Sequence, residues 1–187
     1  MVATAAAFAW PGVQDLLVAD GRIAHGQLWR AVTGPLVHAT WGHLVRDLAL
    51  VCVAGVAYEA PLGRKLLLFG GGLGLPCLAV LAAGQARWYC GLSGLSHALL
   101  AAALSFEAMR RTGAIRAAVL VLGAIAAVKP LYELVTGAPA FAMALGDGVH
   151  QTPLAHAVGV GVGIVCVISM RTRDRNYRSR APHGLRL

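Results

Sequence analysis

Five stretches of this chain, at about residues 40–58, 66–86, 91–109, 115–135 and 152–170, are each apolar over a length that crosses a bilayer, for which a helix needs roughly 17–25 residues. That pattern leaves few folds open. Lipid offers no hydrogen-bond partners, so every spanning segment must satisfy its own backbone, and helices do so within one segment. Composition agrees: of 187 residues, 58% are hydrophobic and 13% charged, with a mean hydropathy of +0.68. A sixth, weaker stretch at about 2–19 contains Pro11 and Asp15. It lacks the basic start of a secretory leader and reads as a short first span. The expectation is an all-α polytopic membrane protein, a six-helix transmembrane bundle over residues 1–170 followed by a basic cytoplasmic tail, 171–187.

The net charge of +8 does not make this a nucleic-acid-binding protein, because eleven of the sixteen basic residues fall on one side of the expected bundle. Arg64 and Lys65 follow the second span; Arg110, Arg111 and Arg116 follow the fourth; Arg171, Arg173, Arg175, Arg178, Arg180 and Arg186 follow the sixth. Cytoplasmic loops collect such residues, which puts both termini inside and leaves the tail to touch anionic lipid. The segment Asp20 to Thr40, with Trp29 and neighbouring Trp41, reads as an interfacial loop with aromatic anchors. The last outer loop, Gly137 to Thr152, is rich in glycine and proline. Gly70, Gly71, Gly72, Gly74 and Pro76 inside the third span predict close helix contact and a kink. Cys52, Cys77, Cys90 and Cys166 show no C-x-x-C spacing and read as small packing residues, Cys90 being a weak second candidate for a nucleophile.

Ionisable groups inside spans are costly, so each is a candidate for function. Lys129 and Glu133, four apart on the fifth span, predict a structural pair. The others are His38, His43 and Asp47 at the start of the second span, Ser93 and His97 at the start of the fourth, and His156 near the start of the sixth. His43 precedes Glu59 by 16 residues, Ser93 precedes Arg110 by 17 and His156 precedes Arg171 by 15. At about 1.5 Å per residue, all three lie roughly 22–26 Å above the inner boundary. One shared level, just beneath the outer surface, is what a site assembled from three helices requires. Ser93, between Gly91 and Gly94 at a helix start, has free amides beside it to face a developing oxyanion. His156 can take its proton and return it to a leaving amine, and with no carboxylate placed to orient it, a Ser93/His156 dyad is the economical reading. Gly159 and Gly163 form a G-x-x-x-G pair that lets the sixth helix approach Gly94, Ala98, Ala101 and Ala102 of the fourth. Gly161 also removes bulk there. His97 is an alternative base or a ring to pack against His156.

Two other classes stay open. His38, His43 and His156 could bind zinc, although no H-E-x-x-H and no glutamate at that level accompanies them. A catalytically inactive membrane adaptor that binds transmembrane helices needs none of this chemistry. The sequence gives no sign of a cofactor.

Three elements together resemble the rhomboid intramembrane serine proteases: His38-(four)-His43-(three)-Asp47, Gly91-Leu92-Ser93-Gly94, and Ala155-His156-(two)-Gly159, in that order on the second, fourth and sixth spans. The run Gly91 to His97 is most similar to the rhombosortase branch. The resemblance implies a serine endopeptidase with Ser93 as nucleophile, His156 as base, and an oxyanion site from His43, Asp47 and the Ser93 amide, supported by His38, His97, Gly91, Gly94 and Gly159. His97 stands where many relatives stack an aromatic ring on the base. Asp47 departs from the family pattern, standing where an asparagine amide donates. It must be protonated, turned aside or neutralised, for example by Arg46. The implied substrate is the C-terminal transmembrane sorting signal, of Gly/Ser-rich GlyGly-CTERM type, of an exported protein in the bacterial inner membrane, with the site near the periplasmic face.

Overall fold

A computed structural model describes residues 11–138, 140 and 152–180, with side chains for 12–138, 140 and 152–169. Its helices are α1 (Pro11–Leu17), α2 (Arg30–Thr33), α3 (Trp41–Ala57), α4 (Leu62–Ala82), α5 (Ser93–Arg110), α6 (Gly113–Thr136) and α7 (Pro153–Arg180), with two short strands, β1 (Ala19–Asp20) and β2 (Trp88–Tyr89). The protein is an all-α membrane protein. Residues 2–10 of the expected first span lie outside the described part, as do 181–187 of the tail and most of the outer loop, 139 and 141–151. α7 runs without a break from the sixth span to Arg180.

The small residues of α5 explain its place. Gly94, Leu95, Ser96, Ala98, Leu99, Ala101, Ala102 and Ala103 are buried, more than one helical face, so α5 is the central helix with α3, α4, α6 and α7 packed against it. Alanine and glycine there admit close neighbours, whereas larger side chains would hold the helices apart. Tyr58, Leu68, Leu92 and Val167 complete this core. α6 shows the opposite composition: Ile115, Leu120, Val121, Leu122, Ile125 and Val128 are exposed, as a helix facing lipid requires. Its one buried charge, Glu133, is held by Lys129 Nζ at 2.8 and 2.9 Å, as the i,i+4 spacing predicts.

The exact count of six spans is not reproduced by helix length and composition. Among the described residues, two helices, α4 and α6, are long and apolar enough to cross a membrane alone, or up to three spans if residues 30–36 and α3, bent by 105°, count as one. α5 has 18 residues, and the apolar part of α7, Pro153–Ser169, is shorter still. Hydropathy sees length and greasiness; α5 is sheathed by other helices and has less lipid to match, whereas α7 exposes Ile164, Val165 and Ile168. Arg110 pairs with Glu59, so the two depth markers share a level.

The interfacial segment is more ordered than a loop. β1 pairs antiparallel with β2, Ala19 opposite Tyr89 and Asp20 opposite Trp88, and Arg30, 2% exposed, donates to the carbonyls of Asp15 and Val18. Arg22 holds the Asp20 carboxyl below its usual range by a hydrogen bond. Trp29 and Trp41 are exposed, as anchors in a headgroup layer would be.

Candidate active site

α5 begins at Ser93, and its first intrahelical bond runs from the Ser96 amide to the Leu92 carbonyl, 2.8 Å. Of the first-turn amides outside the helical ladder, that of Gly94 meets the Tyr89 hydroxyl, which leaves those of Ser93 and Leu95 to face a ligand. The Ser93 carbonyl is fixed from below, accepting from Ser96 Oγ at 2.9 Å and from His97 Nδ1 at 2.7 Å. A carbonyl only accepts, so the proton sits on Nδ1 of His97. The His97 ring stacks on His156 with centroids 4.1 Å apart and planes 10° apart. His156 is buried, and its Nδ1 has no hydrogen-bond partner among the described residues.

Glycines set how closely the two helices meet. A Cβ on Gly159 would stand 2.2 Å from the Gly94 carbonyl oxygen, and one on Gly163 2.2 Å from that of Ala98. No side chain fits at either place. Gly163 also faces Ala101 and Ala102, so the G-x-x-x-G pair meets the small residues expected of it, whereas Gly161 faces open space. On the other side of α5, a Cβ on Gly94 would meet the Pro76 ring at 2.6 Å, and one on Gly72 would meet Leu95 at 2.8 Å. Gly71 touches Val162; Gly70 and Gly74 touch nothing. Only part of the α4 glycine run therefore serves packing.

A second cluster abuts the turn before Ser93. His38 is fully buried and His43 and Asp47 nearly so. Thr40 caps α3, its side chain accepting from the His43 amide at 3.1 Å. Asp47 Oδ2 lies 3.2 Å from His38 Nε2 and 3.3 Å from His43 Nε2, and accepts the Leu92 amide at 2.7 Å. Gly91 donates to the Val37 carbonyl at 2.8 Å. Two strands of contact thus tie residues 37–47 to residues 91–92. Gly91 has φ +98°, and a Cβ there would meet the His43 ring at 2.6 Å, so both backbone conformation and space call for glycine.

The residues singled out in the sequence fall into two adjoining groups: Ser93, His97 and His156 with Gly94 and Gly159, and His38, His43 and Asp47 with Gly91. The conceivable zinc triad His38, His43 and His156 is not the grouping seen. His38 and His43 meet Asp47, and His156 meets His97; counting residues gives depth along a helix and says nothing of direction around it. Asp47, for which protonation, turning aside and neutralisation were all open, accepts from the Leu92 amide and lies beside the two imidazoles.

Sequence reasoning missed Tyr89. Its side chain is buried, its hydroxyl hydrogen-bonds the Ser93 side chain and the Gly94 backbone, and burial pushes the phenol upward so that it stays protonated. Pro76 was read as a kink rather than as the floor beneath Gly94. Burial pushes the Cys90 thiol up to about 12, which leaves it protonated and a poor rival to Ser93. All four cysteines are free.

The Rhomboid domain family model matches residues 25–173, the greater part of the 187-residue chain. No curated protein matches it.

Proposed function

The chain belongs to the rhomboid family, and from that premise we propose that it is an intramembrane serine endopeptidase acting through Ser93 and His156. The observation that carries the reading is the α5–α7 contact, which stacks His156 on a ring hydrogen-bonded to the Ser93 carbonyl. Ser93 Oγ attacks the scissile carbonyl, His156 accepts its proton and then passes it to the leaving amine, and an ester on Ser93 remains. Tyr89 hands Ser93 over to His156 when substrate arrives. Among the described residues no third one hydrogen-bonds the base at Nδ1; stacking on His97 orients it instead. The Ser93 amide and His43 face the oxyanion. Asp47 contributes through His43, which it holds by the ring, since an ionised carboxylate facing the oxyanion would oppose it.

The same reading makes the substrate a C-terminal transmembrane helix of an exported protein, presented at the periplasmic side of a bacterial inner membrane with both termini of the enzyme cytoplasmic. The branch similar to rhombosortases points to a Gly/Ser-rich GlyGly-CTERM signal. A helix must unwind to expose its peptide bond, and each glycine is about 1 kcal/mol poorer in a helix than alanine. The test co-expresses such an anchor with the enzyme, beside the same anchor with three glycines replaced by alanine. Cleavage of the first should exceed that of the second by on the order of a hundredfold. Equal cleavage of both would remove the sorting-signal assignment.

A further inference from the structure

We propose that Glu133 is a positioning residue for cleavage: by holding Lys129, it keeps a cation at the level of the dyad from opposing the charge that His156 takes up. The inference rests on the protease reading. α6 packs against α5 and α7, the two helices that carry Ser93 and His156, and the residues it buries are Pro130 and Glu133. Lys129 lies 16 residues past Gly113, about 24 Å along the helix, close to the height of Ser93 above Arg110. Its charge is felt at both rings of the stack, His97 and His156, and that of Glu133 at His97.

When Ser93 Oγ attacks, its proton passes to His156, and a buried imidazolium forms with no partner at Nδ1 among the described residues. A bare ammonium on the neighbouring helix would oppose that step. Packed helices lie about 8–10 Å apart, and at an effective dielectric of about 20 one unit charge so placed weighs on a proton transfer by on the order of tenfold. Glu133 removes most of that weight. Its carboxylate meets Lys129 Nζ at 2.8 and 2.9 Å, and two opposite charges so close present a dipole, whose field fades faster with distance than that of either charge. The glutamate side chain is 1% exposed against 20% for the lysine, so water does little of the screening there. Glu133 Oε1 also accepts the Ala140 amide at 3.0 Å, a bond that a neutral glutamine would keep.

The test reconstitutes the full chain in liposomes with an anchor substrate and reads kcat and KM, with labelling of Ser93 by a fluorophosphonate beside them. Glu133→Gln should lower kcat by on the order of tenfold and leave KM close to wild type. Adding Lys129→Met should recover most of the loss, since the bare charge goes with it and neutral replacement of a whole buried pair is often tolerated. A purely structural pair would leave the double variant no better than the single one. Should Glu133→Gln fail to fold, Lys129→Met decides by the opposite sign: the carboxylate left behind favours the imidazolium, so kcat should rise above wild type, and no rise would overturn the proposal. In a wild type that cleaves, an unchanged kcat in Glu133→Gln, or a double variant no better than it, would overturn the part given to Glu133 alone. A folded wild type that neither cleaves nor is labelled at Ser93 would remove the protease reading and this inference with it.

Discussion

Replacing Ser93 by alanine, or His156 by alanine, is expected to reduce cleavage of a co-expressed anchor by at least about a thousandfold, and the double variant to be no worse than either single one. Residues that act as one unit are non-additive in this way, because removing either leaves the other without a partner. The protein itself should survive both changes. Ser93 sits at the first position of α5 and is partly exposed; alanine retains the two bonds to its backbone carbonyl and gives up the one between its side chain and the Tyr89 hydroxyl. His97→Ala should do less. It removes a stacked ring worth about 0.5–1.5 kcal/mol, so a loss of roughly tenfold is expected, read in the same assay.

The second large effect comes from a residue that touches no substrate. Gly159→Leu places a branched side chain where even a Cβ would stand 2.2 Å from a backbone oxygen of α5. A carbonyl cannot swing aside as a flexible side chain can, so the helices must separate. Overpacking of this kind costs about 1–3 kcal/mol or more, and the shift carries His156, one turn earlier on α7, away from Ser93. Both the melting temperature in detergent and the cleavage rate should fall. Gly161→Leu provides the contrast, since that glycine faces open space two residues further on; stability and cleavage close to wild type are expected. Equal damage from both substitutions would mean that α7 does not pack on α5 through Gly159.

What the sequence disclosed and what it hid divide along physical lines. Periodic features were legible. The i,i+4 spacing of Gly159 and Gly163 foretold the approach to Gly94, Ala98, Ala101 and Ala102, and that of Lys129 and Glu133 foretold their pairing. Depth was legible too, because rise per residue is fixed: His43, Ser93 and His156 all begin or nearly begin their helices, and Glu59 meets Arg110 at the other end. Azimuth was not. Nothing in a count of residues says that His156 turns toward His97 while His38 turns toward Asp47, although the four-residue step from His43 to Asp47 did place those two on one face. Tyr89 was invisible for another reason. It is positioned by a pairing of two-residue strands some seventy residues apart, and elements so short leave no periodicity to read. The central helix was legible as an apolar stretch at about 91–109; that its neighbours wrap it on more than one face is a packing fact that hydropathy does not carry.

The claim on which the rest stands is that Ser93 is a nucleophile activated by His156. The most direct measurement is labelling of the membrane-embedded protein with a fluorophosphonate, followed by mass spectrometry of the modified peptide. The account predicts a single adduct on Ser93 in the wild type, abolished in His156→Ala and retained in a protein pretreated with chelator. An unlabelled Ser93 in folded wild-type protein, or labelling that persists undiminished in His156→Ala, would contradict it and leave a helix-binding membrane scaffold.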